Sequence, residues 1–206
     1  ILYDDDGNML YGPLDGVMTE FEYDCRKRLI RACDTTYEYD AENIRTAVET
    51  PEYREEYVTD SVRELSRVLV ITREYKTKDK TDVEKYYYGN GLIYEKSYDV
   101  GILVYHYNHL GSTTAVTDKD GKLVYSYDYG IYGELTTTTE YSTIEPKVRF
   151  LSNGQLGVMT DDNSLYYMRQ RYYNPQIKRF INQDILTGSI GNSASLNRYS
   201  YVEGNP

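Results

Sequence analysis

Across 206 residues the chain sets 33 acidic against 23 basic side chains, for a formal charge of -10 and a pI ≈ 4.8. That balance argues against a phosphate-binding surface, since every phosphate contact needs a cation, and nucleic acid is not an expected partner. Aromatic mass comes from 26 Tyr against 3 Phe and no Trp, and the mean hydropathy is -0.67, so nearly every ring carries a hydroxyl that can stay wet or hydrogen-bonded while its body is buried. The composition suits a thin structure with two wettable faces better than an oily core. The length allows one large domain or two small ones, and no apolar run outgrows a few residues, Val68 to Ile71 being the densest, so nothing has the length of a membrane span.

From the N-terminus, "LYDDDGNMLY", "FEYDCRKRLIRA" and "YEYDAENIRTAV" each read as an aromatic strand, a Tyr-Asp pair, a polar turn and a return strand. Their pairs at Tyr3, Tyr23 and Tyr39 are 20 and 16 residues apart, about one hairpin with its linkers. "YHYNHLGSTTAVTD" and "YSYDYGIYGEL" echo the unit later. Asp6-Gly7-Asn8, Gly89-Asn90-Gly91 and Asp120-Gly121 supply the left-handed positions that tight turns demand. Alternation in "LVYSYDY" puts Leu123, Tyr125, Tyr127 and Tyr129 on one side and Val124, Ser126 and Asp128 on the other. The opening in mid-pattern suggests a piece of something longer.

Cys25 and Cys33 could form a bridge or remain two packed thiols. Residues 49–85 lose the Tyr-Asp rhythm but keep β-branched and aromatic character. Within them "TDSVRELSRVLV" also admits a helical reading, against the strand-like "VLVITREY" that follows. His106 and His109 point in different directions from a strand and a turn and have no third ligand nearby; the expectation is no metal, with His106 hydrogen-bonded across its hairpin. The acidic clusters at Asp4 to Asp6 and at Asp161 and Asp162 lack a calcium loop with its closing Glu, and read as solvated turns. In "LYYMRQRYYNPQIKRFINQD" the expectation is an aromatic strand from Tyr166 to Tyr173, a turn at Asn174-Pro175, and an Arg179-Phe180 return leading to Asp184. "NSASLNRYSYVEGNP" predicts one or two helical turns capped at Asn192 or Ser193. The fold class expected is all-β, a curved antiparallel sheet of tandem hairpins with one short helix near the C-terminus.

The Tyr-Asp units, the element "HYNHLGS" from His106 to Ser112 and the block "RYYNPQIKRF" from Arg171 to Phe180 resemble the Rhs/YD-repeat family, and in particular its Rhs-repeat-associated core domain. The resemblance covers nearly the whole chain and is weakest over 49–85. It divides the chain into a repeat strip at 1–104 and a core domain at 105–206. It implies a sheet that spirals into a hollow shell around a variable C-terminal toxin or effector. The partners are then that effector and the remaining repeats of the same chain, in a bacterial protein that is secreted or held at the cell surface, with no cofactor.

In some members the core domain is an aspartyl self-protease, and the resemblance places its first Asp on Asp184, with Arg171 and Arg179 in support. The motif here reads "DILTG", so Ile185 stands where the family often has Pro and Gly188 sits one place late. The second Asp would follow "VEGNP", past the last residue given. An Asp dyad works by sharing one proton between two carboxylates, so Asp184 alone is a turn carboxylate paired with Arg171 or Arg179. No Gly-x-Ser-x-Gly elbow or other positioned nucleophile is present. The alternative to a shell is a surface adhesin or carbohydrate-binding module whose Tyr rings stack on sugars; against it, Tyr spread over many strands and both faces suits cross-strand packing.

Overall fold

The computed structural model describes residues 1–62, 65–142, 147–184 and 196–202. Residues Leu2 to Glu140 form one fourteen-stranded sheet in which every strand pairs antiparallel with its neighbours in sequence. In order these are β1 Leu2–Tyr3, β2 Met9–Leu14, β3 Val17–Tyr23, β4 Leu29–Ala32, β5 Thr35–Tyr39, β6 Arg45–Glu49 and β7 Tyr53–Asp60. There follow β8 Arg67–Tyr75, β9 Thr81–Gly89, β10 Gly91–Ser97, β11 Gly101–Tyr107, β12 Thr113–Asp118, β13 Leu123–Tyr129 and β14 Leu135–Glu140. A second sheet holds four short strands: β15 Met159–Thr160, β16 Tyr166–Met168, β17 Arg171–Asn174 and β18 Arg179–Phe180.

The Tyr-Asp pair has a physical meaning in this sheet. The Asp or Asn after the Tyr seals the turn it opens: Oδ1 of Asp4, Asp24, Asp40 and Asn108 accepts the amide four residues on, at 2.7, 3.0, 2.8 and 3.0 Å. Asp118 does the same for Lys122 at 2.9 Å. The residue three after each of these has positive φ and is Gly7, Lys27, Asn43, Gly111 or Gly121, which is why Gly and Asn recur there. The Tyr works backwards along the sheet. Tyr39, Tyr107 and Tyr129 each donate from the hydroxyl to a carbonyl at the start of the preceding strand, on Leu29, Leu92 and Thr113, at 2.7, 2.9 and 2.7 Å. A Phe could fill the space but not make that bond.

Fourteen strands spaced about 4.8 Å apart would lie roughly 60 Å across if flat. Yet adjacent residues of β17 touch both ends of the strip: Asn174 Nδ2 donates to the carbonyl of Pro13 in β2 at 2.7 Å, and the Tyr173 hydroxyl to that of Tyr132 beyond β13 at 2.9 Å. Two neighbouring side chains cannot span a flat sheet, so the strip curls around the C-terminal segment. Among the described residues it is not closed, since β1 pairs only with β2 and β14 only with β13.

The core lies between the curled strip and the segment it embraces. Phe21, Tyr37, Ile71, Tyr86, Leu103 and Val116 from the strip pack with Phe150, Met159, Leu165, Tyr167, Tyr172 and Ile181 in one cluster. The composition pointed to a thin sheet wettable on both faces; instead one face is covered, because the Tyr hydroxyls find backbone and side-chain partners and the rings can be buried at little polar cost. Backbone bonds fix the segment as well, Met9 N to Ile181 O at 2.8 Å and Thr113 N to Leu151 O at 2.9 Å.

Other local expectations change. Val124 is buried with Tyr125 and Tyr127, because the register between β12 and β13 slips at Val116/Thr117 and breaks the strict alternation. Residues 166–173 form a hairpin, not one strand: Arg169 takes φ 61 and turns the chain so that Tyr167 faces Tyr172. The helical alternative near 60–70 gives way to β8, with Val62 95% exposed. Cys25 and Cys33 are both free and exposed, in the turns at opposite ends of β4, too far apart for a disulfide. The helix expected near Asn192 falls mainly on residues outside those described; the short helix that is described is a 3-10 turn at Gly154–Leu156.

Candidate functional site

Two places gather polar chemistry: the corner around Asp184, and a seam of buried charge between the strip and the C-terminal segment. At the corner, Asp184 pairs with Arg171, Nη2 to Oδ2 at 2.8 Å. The Arg171 guanidinium carbon lies over the Phe180 ring, 3.6 Å from its centroid, and its Nη1 reaches the Arg198 carbonyl at 3.4 Å. Arg198 returns two bonds to the Asp184 carbonyl, from Nε at 2.8 Å and from Nη2, while the Asp184 amide donates to Arg198 O at 2.9 Å. Burial pulls the Arg171 guanidinium somewhat below its usual value, and Asp184 opposes that. Arg179, which the sequence grouped with these residues, stands apart. It is exposed on β18, pairs with Asn174, bridges to Ser200, and lines a groove of about 280 Å³ with Tyr132, Lys178 and Tyr201.

The seam is where the structure goes beyond the sequence reading. Arg45 on β6, fully buried, grips Asp161 with two bonds of 2.6 and 2.9 Å. Asp162 takes Arg149 at 2.6 Å, the Tyr53 hydroxyl at 2.5 Å, and Lys147. Asp161 is therefore not a solvated turn residue, because the strip folds over it and brings Arg45 to it, whereas Asp162 sits in a turn and stays partly in water while cations reach it too. Glu55 on β7 accepts from Arg149 at 2.5 Å and Arg73 at 2.7 Å, and Arg73 continues to Glu84 on β9 at 3.0 Å. Burial alone would push Glu55 up; Arg149 and Arg73 overcome it and hold the carboxyl down at about 2. Asp162 is treated alike by burial, then Arg149 and Lys147, and also lies at about 2. Burial and then Arg149 bring the Lys147 ammonium down to about 8, against the pull of Asp162.

Sequence reasoning missed this seam, although a signal exists: Glu55, Arg73 and Glu84 occupy the same parity as the buried Tyr53, Tyr57, Ile71 and Tyr86 on their strands. A charge at an inward position needs a partner from the opposite layer. His106 behaves as expected, with Nε2 3.0 Å from Thr117 Oγ1 across its hairpin. Among the described residues no group of three or more potential ligands gathers at one point, and no helix is long and apolar enough to cross a membrane. Chemically, both places hold surfaces together through paired ions; neither presents a free nucleophile to a large cavity.

No family model matches the chain. It is 29% identical over 204 residues, 99% of its length, to the tRNA3(Ser)-specific nuclease WapA of Bacillus spizizenii, and 32% identical over 106 residues, 49% of its length, to double-stranded DNA deaminase toxin A of Burkholderia cenocepacia. The matched stretch spans only 7% of each of those proteins. Among solved structures, TcdB2-TccC3 without its hypervariable C-terminal region superposes with a TM-score of 0.70 at 18% identity, covering 91% of this chain and 10% of that one. This chain is therefore similar in sequence to short stretches of much longer bacterial proteins, and it shares its fold with part of a TccC3-containing chain.

Proposed function

We propose that this chain is a wall segment of an Rhs/YD-repeat shell that encloses and presents a variable C-terminal effector. The observation that carries this reading is that relatives of the same stretch are named for two unrelated chemistries, tRNA cleavage and DNA deamination. A region common to both is poorly suited to be the source of either, and well suited to be their carrier. A strip that curls around its own C-terminal segment, with inward tyrosines already committed to bonds, supports the same view and leaves few rings free for sugars. As part of such a toxin the chain acts outside the cytoplasm of the cell that makes it.

The test is the longer parent chain, with its upstream repeats and downstream domain. Under added protease the downstream domain should survive while native and be digested once the wall is unfolded. Equal digestion in both states would overturn the reading.

Asp184 is further proposed as one half of a self-cleaving carboxylate pair in that parent. Its bond to Arg171 holds the carboxyl in place at the corner, where a dyad would need a second carboxylate within reach. The parent should then split just past the core, and Asp184→Asn should stay whole while folding normally. An intact wild-type parent, or an Asp184→Asn variant that splits at the same rate, would leave Asp184 as a structural ion pair.

A further inference from the structure

Glu95 on the inward face of β10 is 2% exposed, and no cation is ion-paired with it among the described residues. Arg73, on the second strand away, gives its bonds to Glu55 and Glu84. What Glu95 does have is the Tyr105 hydroxyl of β11, donating at 2.5 Å. The Tyr86 hydroxyl of β9, which donates to Glu84 at 2.9 Å, reaches it too. In the β9/β10 register Glu95 lies opposite Tyr86 and Glu84 opposite Ser97, so the two carboxyls are diagonal neighbours on one face. Both line a cavity of about 230 Å³ with Arg73 and Lys147, and Asp82, Lys80 and Asp99 form its outer rim.

Charge balance bears on the state of Glu95. Three buried carboxylates, Glu55, Glu84 and Glu95, face two buried cations, Arg73 and Arg149, while the more exposed Lys147 and Asp162 pair with each other. An isolated buried carboxylate is far costlier than a buried carboxylic acid, and one proton removes the imbalance. We propose that Glu95, buried beside Glu84 without a cation of its own, keeps its proton at neutral pH, and that this proton is a latch which tightens the seam between strip and C-terminal segment as the surroundings acidify.

The direction of the shift agrees. Burial, then Glu84, push Glu95 up to about 8, while the Tyr105 bond and Arg73 pull the other way. An acid whose folded value is raised binds a proton that the unfolded chain has already released, so its contribution to stability falls as pH rises from about 4.5 to about 8 and is level above that. Glu55 and Asp162, both depressed, change their contributions only below about 4, and Lys147 only above about 8. In the interval between, the raised acids are Glu95 and Asp161, which burial also pushes up, and the Glu95→Gln variant separates the two. If the chain is a shell wall, which rests on the reading above, the wall grips hardest in mildly acidic surroundings and relaxes at neutral pH and beyond.

Thermal and denaturant unfolding of this chain between pH 5 and 9 tests the latch without reference to any cargo. The wild-type folding constant should fall with rising pH, by up to tenfold per pH unit, and level off near 8. Glu95→Gln should match the wild type near pH 5, lose less stability as pH rises, and be the more stable protein at pH 8. Glu84→Gln should move the levelling point to lower pH, whatever it does to overall stability. Should the variants fail to fold, difference infrared spectra of the wild type should show a protonated-carboxyl band at pH 7 that is lost through pH 8. A wild-type stability that is flat or rises with pH over this interval, or the lack of that band, would overturn the proposal. A pH response without protection of cargo would instead sink the shell reading and leave the latch standing.

Discussion

Arg45 and Asp161, 116 residues apart in sequence, form a two-bond ion pair inside a cage of tyrosines: the guanidinium carbon lies 4.2 Å from the Tyr167 ring centroid, 5.2 Å from Tyr57, 5.7 Å from Tyr37 and 5.9 Å from Tyr172. Two of those rings belong to the strip and two to the segment it surrounds. The pair thus pins the layers together where neither faces water, and burial pushes the Asp161 carboxyl upward against the pull of Arg45.

Breaking one partner should cost far more than removing both. Arg45→Met leaves a buried carboxylate alone, and Asp161→Leu leaves a buried guanidinium alone; each should destabilise by about 3–5 kcal/mol in denaturant titrations. The double variant Arg45→Met/Asp161→Leu should recover most of that loss, since apolar side chains of similar size often replace a buried ion pair without penalty. Additive losses in the double variant would show that Arg45 acts through its tyrosine contacts and not through Asp161.

Acid should open the seam in a defined interval. Glu55 and Asp162 titrate at about 2 in the folded protein, below their ordinary values of 4.5 and 3.8. A depressed carboxyl contributes stability that is complete above its unfolded value and is lost as pH falls through its folded one. Unfolding followed by near-ultraviolet tyrosine dichroism should therefore set in as pH drops from about 4 toward 2. Glu55 alone accounts for a loss on the order of 3 kcal/mol. Glu55→Gln should be less stable at pH 7, where it strands Arg149 and Arg73, and should show a shallower acid transition.

The strip was legible because hairpins write their turns into the chain. Asp, Asn and Gly at fixed offsets announce where each strand ends, and alternation marks the faces in "YREEYVTD" and, past the bulge at Val124, in "YSYDY". Long-range chemistry was not. Nothing local says that Asp161 will meet Arg45 and not water, because the partner arrives only when the strip has curled around the C-terminal segment. The turn at Arg169 was hidden for another reason: a residue with an ordinary side chain occupies a left-handed position where Gly or Asn would have been the recognisable sign. At the corner, Arg171 and Asp184 do meet as the sequence suggested, whereas Arg179 is turned outward by the β18 pairing.

The Tyr-Asp unit makes separable predictions for its two residues. Tyr129→Phe keeps the ring but leaves the Thr113 carbonyl without its hydroxyl donor, and should cost about 1 kcal/mol. Asp40→Ala removes the acceptor for the Ile44 amide and should cost a similar amount, mainly through the turn. Tyr98→Phe, at a side chain 97% exposed, should be silent. Thermal midpoints of the three variants suffice to check this ordering.

Both thiols should react with a colourless disulfide reagent in the native protein, at two equivalents per chain, because Cys25 and Cys33 are exposed and free. Reductant should leave the thermal midpoint unchanged. A native protein with fewer than two reactive thiols would mean that the two turns can approach more closely than the pairing of β4 allows.

The strip ends at β14, where "LTTTTE" pairs with β13 along one side and is exposed at all six residues. Four consecutive threonines favour extended backbone, and none of the six side chains is covered by the C-terminal segment. An open edge of this kind offers unpaired amides and carbonyls to any chain that can add as a further strand. β1, the other outer strand, is two residues long and a much poorer template. Association of the isolated chain should therefore run mainly through β14, and sedimentation should show a weight-average mass that rises with concentration. Thr137→Lys with Thr139→Lys places charge along that edge without touching the core, so the double variant should sediment as a monomer over the same range at unchanged thermal stability. Association that survives both lysines would move the contact elsewhere, with the exposed Leu2, Leu10, Val17 and Met18 around β1 to β3 as the next surface to substitute.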